Sequence, residues 1–205
     1  MKQFLNKSIT FPARHWKIRR KDGIMRTRCM PADIHSFCLH LGRIDRERRG
    51  NVYEVSHVVN SILNHGLARG RRITPKQLHK LLYFHYKDYL QKTDEPLFYG
   101  QFQPAITGPV SLKVVKEYKR FNENDYITRF CPDSNGKEYY IPMNDDSDPV
   151  FNSTLSDTWE KYSKFTGDFL SDLTHTPGSA WDKARKANLP FLKDEDIKAE
   201  PDLLK

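Results

Sequence analysis

The sequence predicts a mainly α-helical fold: a compact helical bundle with a small β-hairpin, preceded by a basic N-terminal arm. Three observations lead to this prediction. Apolar residues recur at helical spacing in several segments after Asn51, a proline-containing capping box marks one helix start, and a glycine-containing loop separates two short runs rich in tyrosine and isoleucine. With 205 residues and 38% hydrophobic content, the chain can bury one sizeable core.

The positive charge is concentrated in the first quarter of the chain. Residues 1–50 contain 13 Lys and Arg against 4 Asp and Glu, a net charge of +9, whereas residues 51–205 contain 21 against 22, a net charge of −1. The first segment also lacks a sustained apolar period. We therefore predict a flexible basic arm at 1–50, dispensable for folding, and a globular helical domain at 51–205.

Four potential zinc ligands fall close together in this arm: Cys29, His35, Cys38 and His40. Structural zinc sites usually pair their ligands as C-x(2–4)-C or H-x(3–5)-H, and this spacing does not follow that pattern. Chance clustering explains the four residues better than a metal site. We predict no cofactor.

Two features bear on the cellular compartment. Three cysteines are few and odd in number, which is typical of a reducing environment. The chain has no run of about 18 apolar residues, and Lys7, Arg14 and Lys17 interrupt the region where a signal peptide would have its apolar core. We expect a soluble cytoplasmic protein without membrane contact.

The first helix of the globular domain follows Asn51 and ends before Gly70. Its apolar positions repeat at helical spacing, while a second set of polar residues falls on the opposite side, as in an amphipathic helix. The apolar set is Val52, Val55, Val58, Val59, Ile62 and Leu63, and the polar set is Ser56, His57, Asn60 and Asn64.

The second helix has the clearest start signal. Thr74 as N-cap, Pro75 at the first helical position and Gln77 three residues after the cap form a capping box, and the helix is predicted to extend to about Gln91. Apolar residues occupy most of its circumference, so a central position in the bundle is expected. The alternative is that Tyr83 and Phe84 form an exposed partner surface. The polar strip consists of Lys76, Lys80, Lys87 and Gln91.

The remaining elements are predicted from shorter signals. Residues 97–106 are expected to be irregular or edge-like because of Pro104, and a third helix is expected over 108–121. Two runs at 126–130 and 137–142 flank a loop and predict the hairpin. A loop at 143–149, a helix at about 154–165 and a short helix from near Asp168 complete the domain.

An acid, an imidazole and a hydroxyl lie within eight positions at Asp172, His175 and Ser179. They could form a catalytic triad only if the chain folded back sharply. Pro177 and Gly178 favour a helix end, so we interpret the segment as a connection between two helices, with Trp181 as a buried anchor and Ser179 as an exposed turn hydroxyl.

Four segments in this order resemble the Panacea domain family, a group of antitoxin-like proteins that includes SocA-like antitoxins and many phage-associated proteins. They are "VYEVSHVVNSIL", "ITPKQLHKLLYF", "ITGPVSLKVVKEYKRF" and "LSDLTHTPGSAWDKAR", and the resemblance spans about residues 52–192. Thr107 and Ala180 depart from the family pattern, which has tyrosine and proline there. The principal matching residues are Gln77, Lys80, Leu81, Leu82, Tyr83, Phe84, Gly108, Pro109, Val110, Leu173, Thr174, His175, Gly178 and Trp181.

The resemblance implies a protein-binding antitoxin without enzymatic activity. It implies a cognate toxin encoded by an adjacent gene, neutralised by direct contact, and for SocA-like members also delivery of that toxin to a AAA+ protease. Tyr83, Tyr86 and Tyr99 are the candidate partner-contacting aromatics.

Two other functions remain open from the residues themselves. One is nucleic-acid binding through the arm, where Arg14 and Lys17 flank Trp16 within a dense basic segment. The other is a hydrolase or metalloenzyme built on the residues at 172–179 or on the zinc-ligand types of the arm.

Overall fold

The structure is a computed structural model that describes residues 52–122, 124–143 and 146–204, together with the backbone of four residues further upstream. The chain divides into two units, Met1–Ile44 and Asp45–Lys205. In the first unit, β1 (Arg19–Arg20) pairs antiparallel with β2 (Gly23–Ile24). Apart from these four residues, the basic arm lies outside the described residues, including the candidate zinc ligands Cys29, His35, Cys38 and His40. The boundary at 50/51 stays a prediction.

The second unit is mainly helical, as predicted. Within the described residues its elements are α1 (Val55–Leu67), α2 (Pro75–Thr93), β3 (Phe102–Ala105), β4 (Gly108–Ser111), α3 (Leu112–Tyr118), α4 (Pro149–Tyr162), α5 (Gly167–Thr174), α6 (Ala180–Lys186) and α7 (Asp194–Lys198). None of the helices in this described part is both long and apolar enough to cross a membrane.

Helix α2 is the centre of the bundle and confirms the strongest sequence signal. The Thr74 hydroxyl accepts from the Gln77 amide, and the Gln77 side chain accepts from the Thr74 amide, so both halves of the capping box are present. α2 packs against α1, α3, α4, α5, α7 and β4. Tyr83 and Phe84 are therefore buried, which excludes them from an exposed surface.

The β-hairpin is present but lies elsewhere in the sequence than predicted. It is formed by β3 and β4, which pair antiparallel from Phe102↔Ser111 to Ala105↔Gly108. Residues 108–111 therefore continue the hairpin, and the third helix begins only at Leu112 and ends at Tyr118. No strand occurs in the described residues between 124 and 143, where the hairpin was expected.

The polar side of α1 explains why that second hairpin does not form. The Asn60 amide donates to Cys131 O at 2.9 Å and to Tyr139 O at 2.8 Å, and its oxygen accepts from Cys131 N at 2.7 Å. Ser61 Oγ accepts from Ile141 N at 2.8 Å. These two buried side chains take the backbone groups that a strand ladder would otherwise pair.

The C-terminal segment covers one face of α2. Tyr83 donates to Glu200 Oε1 at 2.8 Å, Tyr86 donates to Asp194 Oδ1 at 2.9 Å, and Lys87 donates to the Pro201 carbonyl at 3.3 Å. The predicted polar strip is therefore wrong at Lys80 and Lys87, both of which are buried. The polar atoms of α2 serve mainly to hold other segments of the chain.

Helix α4 begins five residues before its predicted start. Asp148 is the N-cap, accepting from Phe151 N at 2.9 Å, and Pro149 occupies the first helical position. The acidic, proline-bearing composition around Asp148 predicts a loop. Asp148 as N-cap and Pro149 as the first helical residue would have predicted the correct start of α4.

Candidate functional site

Four of the family-motif residues, Lys80, Gly108, Pro109 and Thr174, meet at one corner of the domain, where α2, the β3–β4 hairpin and α5 come together. Lys80 on α2 extends its ammonium to the Pro109 carbonyl of β4 at 3.1 Å. Gly108 lies directly against Lys80 and against Thr174 at the end of α5. Residues that are up to 94 positions apart in the sequence thus form one contact cluster.

A groove of about 340 Å³ opens beside this cluster, and we call it the motif groove. Its walls come from α2, the hairpin and α3. The lining combines cationic, imidazole, hydroxyl and aliphatic side chains, including Lys76, His79, Lys80, Thr107, Val110, Val114, Val115 and Lys119. No carboxylate belongs to this lining, although Lys76 forms an ion pair with Asp168 at 2.7 Å. The groove is therefore apolar with a positive edge.

Lys80 is the most unusual group of the motif groove. Its side chain is only 1% exposed, and the Pro109 carbonyl is its one hydrogen-bond acceptor in the described part of the chain. Burial, reinforced by the nearby charge of Lys76, lowers the pKa of Lys80 from 10.5 to about 7. A buried ammonium with one neutral acceptor is costly unless it loses its proton or gains an anionic partner.

His79 keeps a neutral ring at the edge of the groove. Burial, reinforced by the charge of Lys80, lowers the pKa of His79 to about 3, and its Nδ1 accepts a hydrogen bond from Ser111 N at 3.4 Å. Lys76, His79 and Lys80 share one helix face because they are spaced i, i+3 and i+4. That spacing is the sequence signal by which the groove could have been found.

The Lys80 pKa predicts a specific pH dependence of stability. Between pH 7 and 10.5 the unfolded chain binds a proton at Lys80 that the folded chain does not, so this residue makes the free energy of unfolding rise with pH through that window. Lys80→Met should lose this contribution. Urea unfolding of both proteins at about pH 7 and about pH 9.5 measures the difference. An identical pH response in the two proteins would contradict the depressed pKa.

The segment from Asp172 to Trp181 is a connection between helices, as interpreted from the sequence. His175 caps the end of α5, and Ser179 is the N-cap of α6. The Ser179 hydroxyl donates to Thr174 O at 2.9 Å and accepts from Asp182 N at 3.1 Å. Both of its hydrogen bonds are therefore used in capping rather than directed at His175.

Ser179 is buried, so the expectation of an exposed turn hydroxyl is wrong. We predict that Ser179→Ala lowers the free energy of unfolding by about 1 kcal/mol, because it removes an N-cap acceptor and a bond to a buried carbonyl. Chemical denaturation measures the loss. Thr176→Ala is the matched control, since Thr176 is exposed and its hydroxyl bonds only to Leu173 O in the described structure.

Trp181 anchors the hairpin to α6 but is only half-buried, contrary to the expectation of full burial. Its indole N–H donates to Ala105 O at 2.7 Å, and its ring stacks on His175 with centroids 4.0 Å apart. The His175 Nε2 atom is buried and makes no hydrogen bond within the described residues. Burial, with a smaller contribution from Lys80, lowers the pKa of His175.

The departure from the family pattern at Ala180 has a structural use. Its amide donates to Glu200 Oε1 at 2.6 Å, and a proline at this position would have no N–H to donate. Glu200 is buried, and burial raises its pKa. The alanine thus helps to fix the C-terminal segment against α6 and Tyr83.

The three candidate partner-contacting tyrosines differ in accessibility. Tyr83 and Tyr86 are buried beneath the C-terminal segment and cannot contact a partner in this conformation. Tyr99 is 69% exposed, beside a shallow surface depression that also includes Tyr53 and Lys113. Only Tyr99 has the exposure that a partner contact requires.

The fold is a helical domain in which several of the motif residues meet at one corner. The family model described as "Antitoxin SocA-like, Panacea domain" matches residues 78–182, just over half of the chain. The protein belongs to the SocA-like Panacea family. Membership gives it a toxin–antitoxin role in general, with a toxin as the kind of partner, and indicates a regulatory rather than a catalytic role. The chain matches none of the curated proteins and none of the solved structures.

Proposed function

We propose that this protein is the antitoxin of a toxin–antitoxin pair and neutralises its cognate toxin by direct contact. The observation that carries the proposal is the match to the antitoxin family over residues 78–182, and two of the motif residues, Lys80 and Val110, line one groove. We propose further that the toxin is encoded by an adjacent gene and that the protein acts by binding rather than by turnover, in the cytoplasm.

The motif groove is the surface that we assign to the toxin. Concave, largely apolar surfaces with a few polar groups are the usual form of a binding site. Val115 on the wall of the groove is 40% exposed, so apolar surface remains available to a partner. Lys76 and Lys119 add positive charge, which favours an acidic or carboxylate group of the toxin at this site.

Tyr99 is the second proposed contact. Exposed tyrosines often contribute strongly to interface energies because they bury a large surface with few rotatable bonds. Tyr99→Ala tests this contact separately, since Tyr99 does not line the motif groove.

Delivery of the toxin to a AAA+ protease is a further part of the proposal, which the family resemblance supports. It predicts faster loss of the toxin in cells that contain the antitoxin.

The alternative function, nucleic-acid binding through the basic arm, is favoured by the net charge of +9 in residues 1–50. Its signature is a DNA affinity that falls steeply with salt.

The main test is growth rescue by co-expression with the product of the adjacent gene. We expect the neighbour alone to arrest growth, the pair to grow, and the two proteins to copurify. A chain that begins at Gly50 should rescue as well as the full chain. Copurification should persist at about 0.5 M salt, because an apolar contact is screened much less than phosphate binding.

Two matched variants locate the contact surface. Val115→Asp introduces a charge into the motif groove, whereas Tyr126→Asp introduces the same charge at a residue that is 54% exposed and does not line the groove. We expect Val115→Asp to abolish rescue and copurification, with Tyr126→Asp behaving as the parent protein. The proposal fails if no neighbouring product is toxic and none binds. Equal behaviour of the two variants would remove the motif groove as the contact.

A further inference from the structure

A second concave surface lies between the end of α1 and residues 127–130, and we call it the arginine pocket. It has a volume of about 230 Å³ and shares no lining residue with the motif groove. Leu63, Ile73 and Ile127 provide its apolar side, and Leu67 is left 53% exposed beside them. The rest of the lining is Arg71, Arg72, Thr128, Arg129 and Phe130.

The loop that carries the exposed arginines is held by backbone hydrogen bonds. Both Arg69 N and Arg71 N donate to Gly66 O, at 3.0 and 2.9 Å, and Gly70 takes a φ of +67° to close the turn. Ile127 N donates to Ile73 O at 2.9 Å and ties the two walls together. The pocket is therefore preformed, which reduces the entropy that a partner must lose on binding.

Among the described residues, the charges at the pocket are only partly balanced. Arg129 pairs with Glu117 at 2.6 Å, but Arg69, Arg71 and Arg72 are exposed and form no ion pair with any described residue. Arg69 donates to the His65 carbonyl and Arg71 to the Ser163 hydroxyl, both neutral acceptors. Three cations thus lie at or next to an apolar pocket that has no acidic lining residue.

We propose that the arginine pocket binds an acidic segment of a partner protein and takes one large apolar side chain of that segment between its walls. The guanidinium groups supply the charge complementarity, and Leu67 with the aliphatic walls supplies the apolar contact. A volume of about 230 Å³ is below the range of sites for whole small molecules, so a single side chain fits it better.

The lining of the pocket favours a peptide over a nucleic acid. Aliphatic side chains dominate the walls and Phe130 is the one aromatic residue of the lining, whereas sites for single-stranded nucleic acids stack bases on aromatic platforms. The arginine loop lies before residue 78, outside the part of the chain that matches the family, whereas residues 127–130 of the pocket lie within it.

The experiment uses the full chain and a labelled synthetic peptide of about 12 residues, made of Asp, Glu and Ser with one central Leu. Comparison probes replace the Leu by Ala, replace the acidic residues by Lys, or are a single-stranded DNA of similar length. Fluorescence anisotropy gives the dissociation constant of each probe. The peptide assay is independent of toxin neutralisation, so its result and the growth rescue can fail separately.

Charge reversal provides the matched pair of proteins. Arg71→Glu combined with Arg72→Glu reverses two of the three cations that line the pocket, and Lys116→Glu combined with Arg120→Glu makes the same charge change at exposed residues elsewhere. We expect the first variant to weaken binding of the Leu peptide roughly tenfold and the second by less than about twofold. Thermal unfolding should be the same for both variants.

The comparison peptides and the DNA probe test the two parts of the proposal, the apolar contact and the charge complementarity. Replacing Leu by Ala in the peptide should weaken binding, and the lysine peptide should not bind. Equal affinity for the Leu and Ala peptides, an unchanged affinity after charge reversal at the pocket, or no binding of the acidic peptide would overturn the proposal. Binding of DNA alone, lost on the same charge reversal, would assign the pocket to nucleic acid instead.

Discussion

Replacing Gly108 by alanine is expected to lower the free energy of unfolding by about 3 kcal/mol or more. Gly108 has a φ of +98°, a conformation that strains any residue with a side chain. A Cβ atom here would also lie 2.6 Å from Lys80 Nζ and closer still to Thr174 Oγ1. Neither neighbour can move freely, because both are buried and hydrogen-bonded.

Gly136→Ala separates the two contributions to this loss. Gly136 has a φ of +77°, but a Cβ there meets no atom within 4 Å, so only backbone strain of about 1 kcal/mol is expected. Urea unfolding of both variants measures the difference. A Gly108→Ala protein that is no less stable than Gly136→Ala would show that the corner where the motif residues meet can relax, contrary to its close packing.

The helix starts were predictable from the sequence because their signals are local. Thr74, Pro75 and Gln77 are consecutive or nearly so, and each needs only its neighbours to form the cap. The end of α5 and the start of α6 are predictable for the same reason. Asp148 and Pro149 carry the same kind of signal for α4. Because they were interpreted as part of a loop, the predicted start of α4 is five residues late.

The fate of residues 126–142 could not be predicted from their own pattern. Their aromatic and β-branched composition favours a hairpin, but the partners of their backbone groups are Asn60 and Ser61, roughly 70 to 80 positions away. Tertiary contacts override local preference in such cases. The hairpin that does form was missed because each of its strands contains a proline, Pro104 and Pro109, which are paired with each other. Proline within a strand normally argues against a central strand.

The candidate site was predictable in its residues but not in its geometry. The resemblance identified Lys80, Gly108 and Thr174, yet it gave no reason for their proximity, which comes from the packing of α5 beside α2 and β4. It also could not show that Tyr83 is buried. That burial depends on Glu200 and the rest of the C-terminal segment, which lies beyond the residues that match the family.

Asn60→Ala is expected to be the other strongly destabilising substitution, with a loss of about 4 kcal/mol in the free energy of unfolding. The side chain is fully buried and completes hydrogen bonds to Cys131 N, Cys131 O and Tyr139 O. Alanine would leave three backbone groups without these partners, and each buried unsatisfied group costs about 1 to 3 kcal/mol. Water reaching the exposed side of Tyr139 should offset part of that cost.

Asn64→Ala is the matched control, because Asn64 lies one turn later on the same helix and its side chain makes no hydrogen bond in the described structure. We expect its free energy of unfolding to fall by less than about 1 kcal/mol. Asn60→Asp should be at least as destabilising as Asn60→Ala, because it keeps the acceptor for Cys131 N but places a buried carboxylate oxygen against the Cys131 and Tyr139 carbonyls. Amide exchange at Cys131 provides a second measurement, since its protection depends on the Asn60 oxygen. If Asn60→Ala is no more destabilising than Asn64→Ala, residues 131–141 are held by other contacts, and the hydrogen bonds of Asn60 are not the reason why the second hairpin is missing.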